Sequence, residues 1–229
     1  MEDHFTQVFN QLKGVDLWLS DAPALGRNGS YGAFMYAQHL VDALAAHDYS
    51  SPVFIYAAWQ NTHSPLQVPN SYLDPLIDTE VKGGATKQSY FGMTKCMDEC
   101  VRNVTEAHKA HGGAAAWANT LVIFSADNGG ETFAGGNNCA CPTCQFLRSI
   151  WHWRDRWLDV YADPWRGGKY TDFEGGTRVA AFISGGLVPA AVRGTITNTT
   201  VHICDWFRTL SVSHCRFGRL PYFRLPQEN

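Results

Sequence analysis

Hydrophobic positions along the chain fall into two kinds of pattern. Three short, nearly unbroken apolar stretches are bounded by turn residues: PVFIYAAW at 52–59, TLVIFSA at 120–126 and RVAAFIS at 178–184. Such runs predict strands buried on both faces, because a half-exposed strand would alternate apolar with polar. Between them the period changes to that of a helix. Phe34, Ala37, Val41 and Leu44 repeat on one face after an Asn28-Gly29-Ser30 start signal. Met93, Met97, Val101 and Val104 repeat within Ser89–His111, with Gly112-Gly113 as the stop. A third, short helix is predicted over His202–Leu210. Buried strands alternating with helices predict an α/β fold with a mostly parallel sheet.

Two stretches break this texture. Cys139–Asp163 holds three cysteines, three tryptophans and the mixed charges of RSIWHWRDRW, and reads as an insertion. From Ser211 onward no period is visible, which predicts an irregular tail over 211–229 after a main body at 1–210.

Composition narrows the function classes. The 229 residues are 45% hydrophobic and 13% aromatic, enough for a core, and general disorder is excluded. Eighteen basic against twenty-one acidic side chains leave a net charge of −3, which predicts neither nucleic-acid binding nor a basic membrane surface. No apolar run reaches the roughly 20 residues of a membrane span, and the first residues lack the apolar core of a signal peptide. Seven cysteines and three N-x-[ST] sequons, at Asn28, Asn103 and Asn198, point mildly to the secretory pathway. Cys139, Cys141 and Cys144 with His152 offer a zinc site of unusual spacing. A surface insertion with oxidised thiols is the other reading.

Candidate chemistry lies just past the strands, where loops of an open parallel sheet converge. Asp127-Asn128-Gly129-Gly130 follows the second strand. Its carboxylate and amide oxygens suit a hard cation such as Ca²⁺, though the same tetrapeptide also makes a tight reversal. The glycine-rich run from Trp165 to Arg178 leads into the third strand, with Arg166, Lys169 and Arg178 placed to meet a sulfate or phosphate. Asp172 and Glu174 offer internal neutralisation instead. His63, past the first strand, stands where a histidine could protonate a leaving oxygen or bind an anion; a structural histidine is the plainer alternative.

Taken together and in order, VFIYAAWQNTHSPLQVPNSYLD, TLVIFSADNGGETFAGGNN and RGGKYTDFEGGTRVAAFISGG resemble the type I sulfatases, especially their arylsulfatase B-like branch. HICDWFRTL and LWLSDAPALGRNGSYGAF extend the resemblance to about Asp16–Leu210. It implies an alkaline-phosphatase-like α/β sandwich with a mostly parallel central sheet whose amino-terminal part is missing from this chain. It further implies that Asp127 and Asn128 are metal ligands for one Ca²⁺. Lys169 is implied to contact the sulfate and the bridging oxygen, and His63 to bind sulfate and help protonate the leaving alcohol. The family's formylglycine arises from a C/S-x-P-S-R motif, and no cysteine or serine here lies in one. Its upstream aspartate pair and G-K-W-H-type segment are absent too. The implied activity is sulfuric ester hydrolysis on a sulfated small molecule or glycan, in a lysosomal or extracellular setting, with this chain inactive alone. A non-catalytic module binding sulfated glycans or a partner is the alternative, and a phosphodiesterase on the same fold fits the lysine stretch less well.

Overall fold

The computed structural model describes residues 17–27, 29–73, 84–130, 165–197 and 199–217. The predicted Cys/Trp-rich insertion, its zinc candidates Cys139, Cys141, Cys144 and His152, and the sequons at Asn28 and Asn198 lie outside them. The chain divides into two compact units, Met1–Pro189 and Ala190–Asn229.

In the first unit a small antiparallel ribbon, β1 (Trp18–Leu19) with β2 (Ala22–Pro23), precedes helix α1 (Gly32–Ala46). The start signal predicted at Asn28-Gly29-Ser30 ends in a turn instead. Tyr31 takes the cap position without a side-chain cap bond. Helix α2 spans Gly84–Ala118 and is broken at Gly113, whose φ of 69° and ψ of −173° leave the helical region. The break falls at the predicted glycine stop, because an L side chain resists this backbone conformation.

Helices α1 and α2 pack on each other through small residues. Ala33, Ala37 and Cys100 form the buried contact, flanked by Tyr31, Phe34, Trp59 and Val104. On α2 the buried stripe runs through Met93, Cys96 and Cys100 rather than through Met97 and Val101, which sit at its margin. Cysteine behaves as a small hydrophobe, and a seam of small side chains lets two helices approach closely. The Cys100 thiol lies 3.5 Å from the Ala33 carbonyl oxygen and donates to it. Burial pushes both thiols up, Cys96 to about 12 and Cys100 to about 11.

Two of the three predicted strands pair. β3 (Val122–Ser125) and β4 (Ala181–Ser184) run antiparallel, with Ile123 opposite Ile183 and Phe124 opposite Phe182. The two phenylalanine rings stack at 5.0 Å. This pairing departs from the predicted parallel neighbours, and parallel pairing is not seen among the described residues. Between β3 and β4 lies α3, the single turn Glu174–Thr177. Burial departs from the prediction as well: β3 is largely half-buried and β4 is exposed. Residues 52–58 form no ladder and are exposed throughout. A strand apolar on both faces stays buried only between neighbours and covering layers, and the described elements supply none around this segment.

In the second unit, α4 (Ile203–Phe217) begins where predicted but runs past Leu210 into the segment predicted to be irregular. No glycine or proline interrupts the sequence before Gly218. Its start is capped reciprocally. The Asp205 carboxylate accepts the His202 backbone N–H at 2.8 Å, and His202 Nδ1 accepts that of Cys204 at 3.3 Å.

Candidate active site

Two of the three candidate segments are locked together by backbone. Gly129 N–H donates to the Gly176 carbonyl at 2.8 Å, and Lys169 N–H donates to that of Gly130 at 3.0 Å. Within the second loop, Gly175 N–H donates to the Arg166 carbonyl at 2.7 Å, and the Thr171 hydroxyl bridges Gly168. These contacts explain the glycines. A Cβ on Gly129 would run into the Gly175 carbonyl, one on Gly175 into the Gly167 carbonyl, and one on Gly176 into that of Thr171. Side chains are excluded where the two loops cross.

That lock sets the candidate residues in place. Asp127 and Asn128 follow β3 directly, and the ladder is extended by Ala126 N–H donating to Ala180 O at 3.1 Å. Asp127 is exposed, and its Oδ1 accepts the Asn128 N–H at 2.8 Å. Asn128 is half-buried and donates Nδ2–H to the Gly129 carbonyl at 2.9 Å, a bond that does not use its Oδ1. The segment bends at Asp127 and Asn128, each of which carries a side-chain oxygen. Hard oxygens suit Ca²⁺ in kind. They fall short in number, since Ca²⁺ takes about six to eight. No cluster of three or more metal-ligating acidic, histidine or cysteine side chains occurs among the described residues. The described residues do not build a calcium site by themselves.

The three cations of the lysine loop differ in their engagements. Arg178 stacks on Trp165 at 4.0 Å and meets Glu174 at 3.4 Å, while Arg166 lies over Phe173 at 3.8 Å. Both guanidiniums thus serve the loop's own structure, and Glu174 provides the internal neutralisation that the sequence suggested. Lys169, half-buried, has its ammonium 5.4 Å from the Tyr170 ring, and no carboxylate pairs with it among the described residues. An ammonium facing an aromatic ring rather than a carboxylate keeps its charge available for an anion. Tyr170 itself has a φ of 75° and is 82% exposed.

His63 sits on the third segment, exposed, with its N–H donating to the Gln60 carbonyl at 2.9 Å. Its Nδ1 lies 2.7 Å from the Ser64 carbonyl, which only accepts, so Nδ1 carries the proton and Nε2 is the basic nitrogen. Sequence reasoning missed the residues that hold this loop. Asn61 donates both amide hydrogens, to the Tyr31 hydroxyl at 3.0 Å and the Met93 carbonyl at 2.8 Å. Tyr72, at the far end, donates to Glu99 at 2.7 Å. Burial pushes the Tyr31 phenol to about 12, and the bond to Glu99 takes Tyr72 to about 12. The signal lay in the polar residues flanking His63, which the strand-end argument passed over. The contacts named for His63 are local, whereas Asp127, Asn128 and Lys169 are joined through their loops.

An oxygen-bearing segment at a strand end is thus locked by backbone to the lysine loop. The sulfatase family profile matches residues 5–212. Over 198 residues, 86% of this chain, the sequence is 35% identical to arylsulfatase J of Mus musculus, and spans 28% of that protein's length. The chain belongs to the sulfatase family, which generally binds a divalent metal and has the alkaline-phosphatase-like α/β fold. Two crystal structures of Ps i-CgsB also match. One, with bound k-i-k-neocarrahexaose, has a TM-score of 0.47 at 22% identity, and the other has 0.46 at 23%. Each match covers 67% of this chain and 27% of that one, too slight a likeness to carry an argument.

Proposed function

We propose that this chain carries part of the active site of a sulfuric ester hydrolase of the arylsulfatase type, acting on a sulfated small molecule or glycan. The observation that supports it is the backbone lock between the Asp127–Gly130 turn and the Lys169 loop. In this reading it brings the Lys169 ammonium, which meets no carboxylate among the described residues, to the side chains of Asp127 and Asn128. In this reading His63 converges on the same cleft. Lys169 holds the sulfate and meets charge growing on the bridging oxygen, and His63 returns a proton to the leaving alcohol. Ca²⁺ is the metal proposed for Asp127 and Asn128, with further ligands from outside the described residues, and it would supply positive charge to the sulfate oxygens. A parallel central sheet, residues 1–210 as the partial catalytic domain, and passage through the secretory pathway belong to the same proposal, as does glycosylation at exposed Asn103.

The isolated chain is proposed to be inactive, because no residue in it occupies a formylglycine motif. An aryl sulfate assay with Ca²⁺ tests this on chain 1–229 and on the same chain joined to an upstream segment bearing C/S-x-P-S-R, coexpressed with the formylglycine-generating enzyme. Background turnover is expected from the first, and turnover abolished by Asp127→Ala from the second. Turnover by the short chain, also lost in Asp127→Ala, would show that another nucleophile operates. The absent motif beside a retained lysine loop favours one second reading, a non-catalytic module that binds sulfated glycans. Retention on a sulfated-oligosaccharide matrix that Lys169→Ala abolishes, with the extended chain inactive, would favour it.

A further inference from the structure

Tyr170 occupies a backbone position of the kind its loop elsewhere gives to glycine. Gly168–Thr171 is a tight turn, closed by the Thr171 N–H donating to the Gly168 carbonyl at 3.1 Å and by the Thr171 hydroxyl donating to the same oxygen at 2.8 Å. Its third residue, Tyr170, has a φ of 75°. A turn that needs a positive φ there normally takes glycine or asparagine, and a bulky side chain is strained. Three residues earlier the same loop meets the same demand with Gly167, at a φ of 84°. Packing does not offset the strain, because 82% of the tyrosine's surface is exposed. The loop's other aromatic rings are engaged differently: guanidiniums cover Phe173 at 3.8 Å and Trp165 at 4.0 Å. What distinguishes the Tyr170 ring is its neighbour, the Lys169 ammonium 5.4 Å from its centre. Strain held without burial, beside a candidate anion contact, points to a role in meeting a ligand.

We infer that Tyr170 is a specificity-determining residue, a ring on which the alcohol portion of a sulfate ester lies when Lys169 holds the sulfate. The inference rests on the proposed role of Lys169. An ester bound there carries its alcohol on the bridging oxygen, close to the cation, and the tyrosine ring is the apolar surface adjoining that cation. The class of ligand follows from that surface. A flat, exposed aromatic face favours another ring, an aryl group or the C–H face of a pyranose, over a short open chain. Inorganic sulfate, which has no alcohol, gains nothing from it. The glycine that the turn would prefer supplies no such surface, so stability and recognition pull the choice of residue in opposite directions.

The test compares Tyr170→Gly with the unaltered chain 1–229 in two measurements. In urea unfolding the variant's midpoint should rise, because the turn regains the residue its backbone prefers. In titrations followed by the amide chemical shifts of Lys169 and Thr171, nitrophenyl sulfate and a sulfated galactose should bind about tenfold more tightly than propyl sulfate, which has the same charge. Tyr170→Gly should abolish that preference without weakening inorganic sulfate, and Tyr170→Phe should keep it. A preference for nitrophenyl sulfate alone would support an aryl sulfate as the ligand, and one for the galactose alone a sulfated glycan. A lower midpoint in Tyr170→Gly would make the ring a structural part of the loop and overturn the inference. A ring preference that survives the variant, or is missing from the unaltered chain, would overturn it too. The chain extended by a segment bearing C/S-x-P-S-R, coexpressed with the formylglycine-generating enzyme, separates this inference from the proposed activity. There Tyr170→Gly should raise KM for nitrophenyl sulfate about tenfold, with a smaller change in kcat. Turnover with an unchanged KM would overturn the inference alone. No turnover, beside an intact ring preference in chain 1–229, would overturn the proposed activity alone.

Discussion

The α1–α2 pair and the two-loop site are built on opposite principles. Between the helices, side chains make the contact: Ala33, Ala37 and Cys100 fill the seam, and Asn61 and Tyr72 anchor the neighbouring loop by hydrogen bonds. At the site, the backbone makes the contact. Glycines 129, 175 and 176 are buried, and carbonyl oxygens occupy the space that side chains would need. A helix seam is sensitive to what is removed, and the loop crossing to what is added.

The largest effect should therefore come from one added methyl. Gly175→Ala drives a Cβ into the Gly167 and Arg166 carbonyls, neither of which can turn aside without breaking the loop. A loss of about 3 kcal/mol or more is expected in urea unfolding. Gly26→Ala supplies the contrast, since its φ is 76° but nothing lies within 4 Å. It should cost only the left-handed backbone penalty, about 1 kcal/mol. Equal losses in the two variants would remove the steric lock from the account.

Lys169→Ala tests the other half of the comparison. If backbone holds the loop, removing this side chain should leave the unfolding midpoint unchanged. Under the proposed function, in the chain extended by a segment bearing C/S-x-P-S-R, turnover of an aryl sulfate should fall by ~10²-fold or more, as losing one electrostatic stabiliser does. A destabilised protein would make Lys169 a structural residue, and unchanged turnover would take it out of the mechanism.

What the sequence made legible follows the same division. Strand-end placement singled out Asp127 and Asn128, although D-N-G-G serves a tight reversal equally well, and the glycine run singled out Lys169. The glycine stop near Gly113 was legible because its backbone conformation is local. The pairing of β3 with β4 was not, since residues far apart in sequence form that ladder and both orientations suit apolar strands. Nor was the helix seam: Met97 and Val101 rank above cysteine as hydrophobes, and only the close approach to Ala33 selects the smaller side chain. The exposure of 52–58 depends on which neighbours are present, a property no local pattern carries.

Alkaline pH should disturb the helix seam before the site. Cys96 and Cys100 have folded values of about 12 and about 11 against an ordinary value of 9.0, raised by burial. A group held above its unfolded value stabilises fully below that value and loses the contribution as pH rises through the folded one. Urea midpoints should fall from pH 9 upward, and Cys96→Ala with Cys100→Ala should flatten that fall. An exposed thiol, Cys204, should react with iodoacetamide at pH 8 while the buried pair stays unmodified. Rapid modification of Cys100 in the native chain would contradict the seam.

The smallest effect lies where the two regions join. His108, on α2, places Nε2 2.7 Å from the Thr120 hydroxyl, which donates to the Ala116 carbonyl and therefore accepts the ring proton. Nδ1 is then left to accept from the Tyr49 hydroxyl at 3.4 Å. Thr120 also accepts the Leu187 N–H at 3.1 Å through its carbonyl, so this histidine braces the entry to β3 in its neutral form. Burial, and then the nearby charge of His47, hold His108 below its ordinary 6.5. A histidine held down in the folded state contributes stability above pH 6.5 and loses it as pH falls through its folded value. Between pH 7 and 5 the unfolding midpoint should decline, and His108→Gln, which cannot titrate, should reduce that slope. An identical slope in the variant would show that His108 is as easily protonated folded as unfolded, and the junction would then owe nothing to its neutral ring.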